Sequence, residues 1–237
     1  VVVHLGETKR GLEALKRNFH RSIARVLEEY KLFLQPVQLT HLACLDQGDE
    51  EMLARGHVPI IVNPGAALAK GAELPPIEGF LARGMTIALG SDWGSPNPFE
   101  NMRMINTLVN MRRGEPIDPS MLLAMHTTNA ARALGLHMEV GSIEVGKKAD
   151  LTFLNAADLR LQHLFQYGSV HGVLENLLST ASSSDVTDVM INGEFFLRQR
   201  HDMTYAEEDL KRDFRQAVET IMSKTGRQAK EPEEDLT

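Results

Sequence analysis

The sequence predicts an α/β fold. Three observations carry that expectation. From Val1 to Asp92, short β-branched runs alternate with amphipathic stretches; three of those runs end in a polar side chain; and the texture changes to Gly turns and short apolar runs at Gly141. Strands that alternate with helices at close spacing lie parallel and are joined by right-handed crossovers, either in an open doubly wound sheet or in a (β/α) barrel.

The elements follow in order. Val1-Val2-Val3-His4 reads as a strand, and Glu7 to Tyr30 reads as a helix, because Leu12, Leu15, Phe19, Ile23, Val26 and Leu27 recur at spacings of three and four. Pro36 to His41 is a second strand, Asp46 to Arg55 a polar helix stopped by Gly56, and Val58 to Val62 a third strand leading into a loop, "NPGAALAKGAELPP". A short helix from Ile77 to Arg83 ends at Gly84, and Met85 to Leu89 is a fourth strand running into Gly90-Ser91-Asp92. Helices follow over Phe99–Arg112, Asp118–His126 and Thr128–Leu134. From Gly141 to about residue 200 the chain reads as a small β unit, with Asn192-Gly193 the strongest hairpin signal. Tyr205 to Lys224 is a charged amphipathic helix, and "GRQAKEPEEDLT" is expected to be disordered.

Composition narrows the function. With 43% hydrophobic and 24% charged residues the chain has the balance of a folded globular protein. A net charge of -7 without any dense basic cluster argues against nucleic acid or anionic membrane as partner and favours a small-molecule substrate. No run approaches the length of a membrane span. The single Cys44 forms no internal disulfide and suits a reducing cytoplasm.

Three of the four expected parallel strands end in His4, His41 and Asp92. In a parallel barrel all strand C-termini open onto one face, so side chains remote in sequence converge there. His with carboxylate suits a divalent metal such as Zn²⁺, which lowers the pKa of water to about 7 and so supplies hydroxide at neutral pH. Glu7, three residues after His4, stands where a carboxylic acid can move a proton to a leaving group. His20, His57, His126, His137, His163, His171 and His201 lack such placement and read as structural or surface residues; Cys44 reads as buried filler, and Trp93 either lines a pocket or packs.

These motifs resemble the amidohydrolase superfamily, in particular its branch of cyclic-amidine deaminases and triazine chlorohydrolases. "HLGET" is similar to the fifth-strand metal His with its Glu, "THLA" to the sixth-strand His, "VNPGAALAKG" to the seventh-strand loop, and "IALGSDW" to the eighth-strand Asp motif. "TTNAARALGL" followed by "GSIEVGKKADLTFLN" resembles the return from barrel to β-sandwich.

The resemblance implies the C-terminal half of a (β/α)8 TIM-like barrel, strands five to eight, over residues 1–140, then sandwich strands over 141–200 and a terminal helix and tail over 201–237. It also implies His4 and Asp92 as metal ligands, Asp92 as the base that takes the proton from water, Glu7 as a proton shuttle to a ring nitrogen, and His41 as a group that bonds the substrate or the attacked group, with approach to the metal as its alternative role. The cofactor would be a divalent metal, Zn²⁺ first, with Fe²⁺ or Mn²⁺ as alternatives. The reaction would be hydrolytic deamination of a nucleobase-like ring, with dechlorination, amide hydrolysis or imidazolone ring opening as variants. A non-catalytic relic used for binding is the reading of another class, and a homo-oligomer is compatible with either.

Two departures stand out. Asn63-Pro64-Gly65-Ala66-Ala67 lacks the Ser-Asn of many relatives, and no HxH pair of first-strand ligands occurs. The expectation is therefore a C-terminal piece of a longer enzyme, inactive unless the other half is supplied.

Overall fold

Three β-branched or leucine residues flank His4 in Val2–Leu5, and this segment forms the first strand, β1. In the computed structural model, residues 2–161 and 169–225 are described. Val1, His163 and the stretch expected to be disordered lie outside the described residues.

Strand β1 pairs in parallel with β2 (Gln38–His41), β2 with β3 (Ile60–Val62), and β3 with β4 (Ile87–Leu89). The order in the sheet is the order in the sequence. A doubly wound sheet reverses strand order at a switch point, whereas successive barrel strands do not, so the arrangement is that of consecutive barrel strands.

Register explains which face is buried. Val3, Leu39, Ile60 and Ile87 form one row across the sheet, and the last three are wholly buried under the helices. Each such side chain contributes about 1.5–3 kcal/mol of burial. One residue further along, His4, Thr40, Ile61 and Ala88 form the opposite row, because successive side chains alternate between faces.

The expected helix over Glu7–Tyr30 is two helices, α1 (Lys9–Phe19) and α2 (Ile23–Glu29). His20 takes a left-handed conformation at the C-cap of α1, and the chain turns so that Ile23, Ala24 and Leu27 of α2 reach the core, whereas α1 buries no residue completely. Helix α3 (Asp49–Arg55) follows β2 and buries Leu53. The loop after β3 contains a short helix, α4 (Pro64–Ala69), where Pro64 at its first position supplies a preset φ at no hydrogen-bond cost. Helices α5 (Ile77–Ala82), α6 (Pro98–Arg113), α7 (Pro119–His126) and α8 (Thr128–Ala133) complete the layer. Phe80, Ile105 and Met125 are their fully buried anchors.

The second sheet is antiparallel, in the order β5 (Leu151–Leu154), β6 (Val186–Ile191), β7 (Glu194–Arg198), β8 (His201–Asp202). Asn192 and Gly193 both adopt positive φ between the paired residues Ile191 and Glu194, as their hairpin signal requires. The run Gly141–Asn155, read as short strands and Gly turns, forms turns as far as Asp150 and then enters β5. Gly141 and Gly146 break the extended chain with positive φ, and Ile143 and Val145 between them are exposed. Between β5 and β6 lies a helix the sequence reading did not separate, α9 (Val170–Thr180), tied to α6 by Arg103, which donates to the Leu178 and Ala181 carbonyls at 3.1 and 2.8 Å. Helix α10 (Glu207–Thr225) ends the described chain. Among the described residues no helix is long and apolar enough to cross a membrane.

Candidate active site

The carboxyl ends of β1 to β4 bring His4, His41, Asn63 and the Gly90–Asp92 turn to one rim of the parallel sheet. Pairing continues past the strands: Leu42 N–H donates to the Leu5 carbonyl at 2.9 Å and Cys44 N–H to the Gly6 carbonyl at 2.8 Å. Gly6 makes that approach possible, since a Cβ there would stand 2.6 Å from the Cys44 carbonyl oxygen. Thr8 then starts α1, its side chain accepting from Gly11 N–H at 3.1 Å, which leaves Glu7 in the turn between strand and helix.

His41 Nε2 and His4 Nδ1 lie 2.9 Å apart, with the rings tilted by 55°. Glu7 Oε2 is 3.9 Å from His41 Nε2, and one ligand atom from each of His4, Glu7 and His41 falls within 4.8 Å of the others. Below them, Asn63 donates from Nδ2 to Thr40 Oγ1 at 2.9 Å, and the Thr40 hydroxyl donates to the Ile61 carbonyl at 3.3 Å. This buried pair holds the floor of the site. A recess of about 10 Å³ bounded by Glu7, His41, Asn63, Ala66 and Lys70 has room for roughly one water-sized group.

Asp92 stands apart from the three. It projects from the turn after β4 with φ of 51°, and its Oδ2 lies 4.0 Å from Lys70 Nζ. His41 is also left-handed, with φ of 76°. Such backbone costs non-glycine residues about 1–3 kcal/mol and persists where the surroundings over-determine it. Both strained residues belong to this rim.

Lys70 was not singled out from the sequence. It caps the C-terminal end of α4 and donates to Glu7 Oε1 at 2.6 Å, with its ammonium 5.3 Å from the centre of the Trp93 ring. Its signal was the Ala-Lys-Gly helix ending hidden in a stretch read as loop. Trp93 is exposed and carries this cation rather than packing in the core.

The charges follow from these contacts. The hydrogen bond from Lys70 holds the Glu7 carboxyl below its ordinary range, against a smaller opposing effect of burial. Burial pushes the His41 imidazole down, partly offset by the Glu7 carboxylate. The Lys70 ammonium is raised by its bond to Glu7. Cys44 is half-buried, and burial raises its thiol, so it is not a nucleophile in waiting.

Two imidazoles beside a carboxylate offer two nitrogens and an oxygen, a donor set that suits Zn²⁺ and similar divalent ions. The residues present therefore fit a metal, although Lys70 shares the carboxylate.

The amidohydrolase family model matches residues 1–196. The 5-methylthioadenosine/S-adenosylhomocysteine deaminase of Desulforudis audaxviator is 29% identical over 231 residues, covering 92% of this chain and 52% of that protein. Its namesake from Moorella thermoacetica is 31% identical over 216 residues, covering 88% and 49%. The chain thus spans about half the length of the curated relatives it matches. Among solved structures, an adenosine deaminase from Xanthomonas campestris with bound zinc superposes with a TM-score of 0.84 at 24% identity, over 94% of this chain and 51% of that one. That likeness shows the fold, a parallel barrel of which this chain matches about half. Since the family match runs from the His4 strand through the hairpin of the second sheet, the rim just described has its place in a known architecture, and the chain belongs to the amidohydrolase family.

Proposed function

We propose that this chain carries part of the active site of a metal-dependent hydrolase acting on non-peptide C–N bonds, and that its reaction is hydrolytic deamination of an amino-substituted heterocycle. The observation that supports this most is the meeting of His4, Glu7 and His41 within 4.8 Å at the ends of two adjacent parallel strands. The relatives of similar sequence are deaminases of 5-methylthioadenosine and S-adenosylhomocysteine.

Of the three clustered donors His4 would hold the divalent ion, Zn²⁺ first, and Asp92, which stands outside that cluster on the same rim, would join it as the second ligand. When bound, such an ion lowers the pKa of water to about 7 and polarises the bond to be attacked. Asp92 accepts the proton that water gives up. Glu7, ionised while Lys70 bonds it, would take up a proton from solvent as substrate displaces Lys70 and pass it to the ring nitrogen beside the attacked carbon; the proton held by Asp92 goes to the amino group, which leaves as ammonia, and the proton of the intermediate's hydroxyl returns to solvent through Glu7. His41, kept neutral by burial, donates or accepts a hydrogen bond at the attacked group without adding charge. Asn63 and Thr40 fix the floor against which the ring sits. A cytoplasmic setting agrees with the lone Cys44.

The protein, in the full length that its gene encodes, should release ammonia from 5′-methylthioadenosine, S-adenosylhomocysteine, adenosine or guanine and hold about one divalent ion per chain. Glu7→Gln should cut turnover by ~10²–10⁴ with metal content intact. Loss of the metal in that variant would make Glu7 a ligand instead, and absence of both metal and ammonia release would overturn the proposal.

A further inference from the structure

Two ion pairs span the same gap at the rim. On one side the turn from β1 into α1 carries Glu7 and Lys9; on the other, the end of α4 and the residues after it carry Lys70 and Glu73. Lys70 Nζ donates to Glu7 Oε1 at 2.6 Å and Lys9 Nζ to Glu73 Oε1 at 2.8 Å, so each side supplies one acid and one base. None of residues 68–73 is buried, whereas Ala66 before them and Leu74 after them are. Just beyond, Arg112 donates to the Pro75 carbonyl at 3.3 Å, and within the segment Gly71 takes φ of 64° with open space where a Cβ would stand. A segment anchored at both ends, with no buried side chain of its own, opens locally at small cost.

We propose, on the reading of this rim as an active site, that residues 68–73 are a strap held shut across it by the Glu7–Lys70 and Lys9–Glu73 pairs and opened to admit substrate. Lys70, Ala72 and Glu73 wall the recess that His41 and Asn63 line, and with them in place it has room for roughly one water-sized group, too little for a heterocyclic ring. The Lys70 ammonium also lies 5.3 Å from the centre of the Trp93 ring, so closure joins the turns after β1, β3 and β4. Opening carries Lys70 away from Glu7; closing again keeps bulk water from the ring beneath. Lys9 and Glu73 touch no reacting group and are both exposed, so their pair adds a little to closure and can be broken without altering the chemistry.

Hydrogen exchange read by mass spectrometry, on the protein in the full length that its gene encodes, tests this. The Lys70, Gly71 and Ala72 amides bond to the Ala66, Leu68 and Ala67 carbonyls and exchange as the strap opens. Lys9→Glu and Glu73→Lys each set like charges across the gap and should speed that exchange roughly two- to fivefold, and the double reversal should return it to the wild-type rate. Glutamate in the first turn of α1 suits the helix, so Lys9→Glu does not act by unravelling it. Lys16→Glu, which breaks the Lys16–Asp46 pair on the same helix, should leave the strap unchanged. For a substrate that enters only the open form, KM should fall in the single variants by the factor by which exchange rises. Exchange indifferent to the single reversals, a double reversal that fails to restore it, equal acceleration by Lys16→Glu, or faster exchange at unchanged KM each overturns the strap. Exchange behaving as stated with no ammonia released from any substrate overturns the deaminase reading instead and leaves the strap standing.

Discussion

His41 Nε2 faces His4 Nδ1 at 2.9 Å across two neighbouring strands. Only one proton fits between two nitrogens at that distance, so the pair cannot be doubly protonated on those atoms. Were His4 to hold a divalent ion through the nitrogen that now faces His41, His41 would be left to bond elsewhere, which is the division of roles proposed for a ligand and a substrate-bonding residue. His4→Asn should therefore lower Zn²⁺ affinity at least ~tenfold, and His41→Asn should lower it much less. Isothermal titration of the protein with Zn²⁺ checks both; equal losses would make His41 a ligand as well.

Lys70 makes a different prediction. Its ammonium stabilises the ionised form of Glu7, so the carboxyl gives up its proton at lower pH than an ordinary glutamate. Lys70→Met removes the hydrogen bond and leaves burial, which acts the other way. The Glu7 titration midpoint, followed by ¹³C NMR of its side-chain carboxyl, should move up in the variant. An unmoved midpoint would mean that the contact does not control the carboxyl.

The fold and the rim were legible to different degrees. Strand ends were readable because β-branched runs stop abruptly at His4, His41 and the turn before Asp92, and parallel strands turn such endings onto one face. The break at His20 was not, because the apolar spacing runs through it; periodicity records which face is apolar and is blind to a left-handed residue that re-aims the next helix. Helix α4 was missed because its six residues are too few to show a period, and Lys70 with it. Distances that decide chemistry, such as Lys70 to Glu7, join residues 63 positions apart in the chain and have no local signature. Over Gly141–Asn155 the reading of mixed turns and short strands did not say which residues would be which: Ile143 and Val145 are β-formers, yet among the described residues no strand pairs with them, and the first strand of the unit begins at Leu151.

Gly6 carries two constraints at once. Its φ of 60° is left-handed, and a Cβ would press on the Cys44 carbonyl at 2.6 Å, a backbone atom that cannot swing aside. Gly6→Ala should destabilise the chain by about 2 kcal/mol or more, from the left-handed cost and the displacement of the loop together. The urea midpoint would fall with little change in slope. The damage should extend to the site, since Gly6 joins His4 to Glu7; a variant of wild-type stability would show that the loop relaxes freely.

His126 predicts the acid limit of the fold. It ends α7, its Nε2 is buried with no hydrogen-bond partner among the described residues, and burial pushes its pKa down to about 4. In the unfolded chain the same imidazole takes up a proton near pH 6.5. Above that pH both states are neutral and His126 favours neither. Between pH 6.5 and about 4 the unfolded state binds the proton and the folded state does not, so stability falls as pH falls, by on the order of 3 kcal/mol when the lower limit is reached. Below the lower limit both states are protonated and the loss levels off. Urea unfolding at pH 7.5, 5.5 and 4.5 should show this decline, and His126→Met, which keeps the volume without the charge, should flatten it across that window. A decline of equal steepness in the variant would assign the acid sensitivity to other groups.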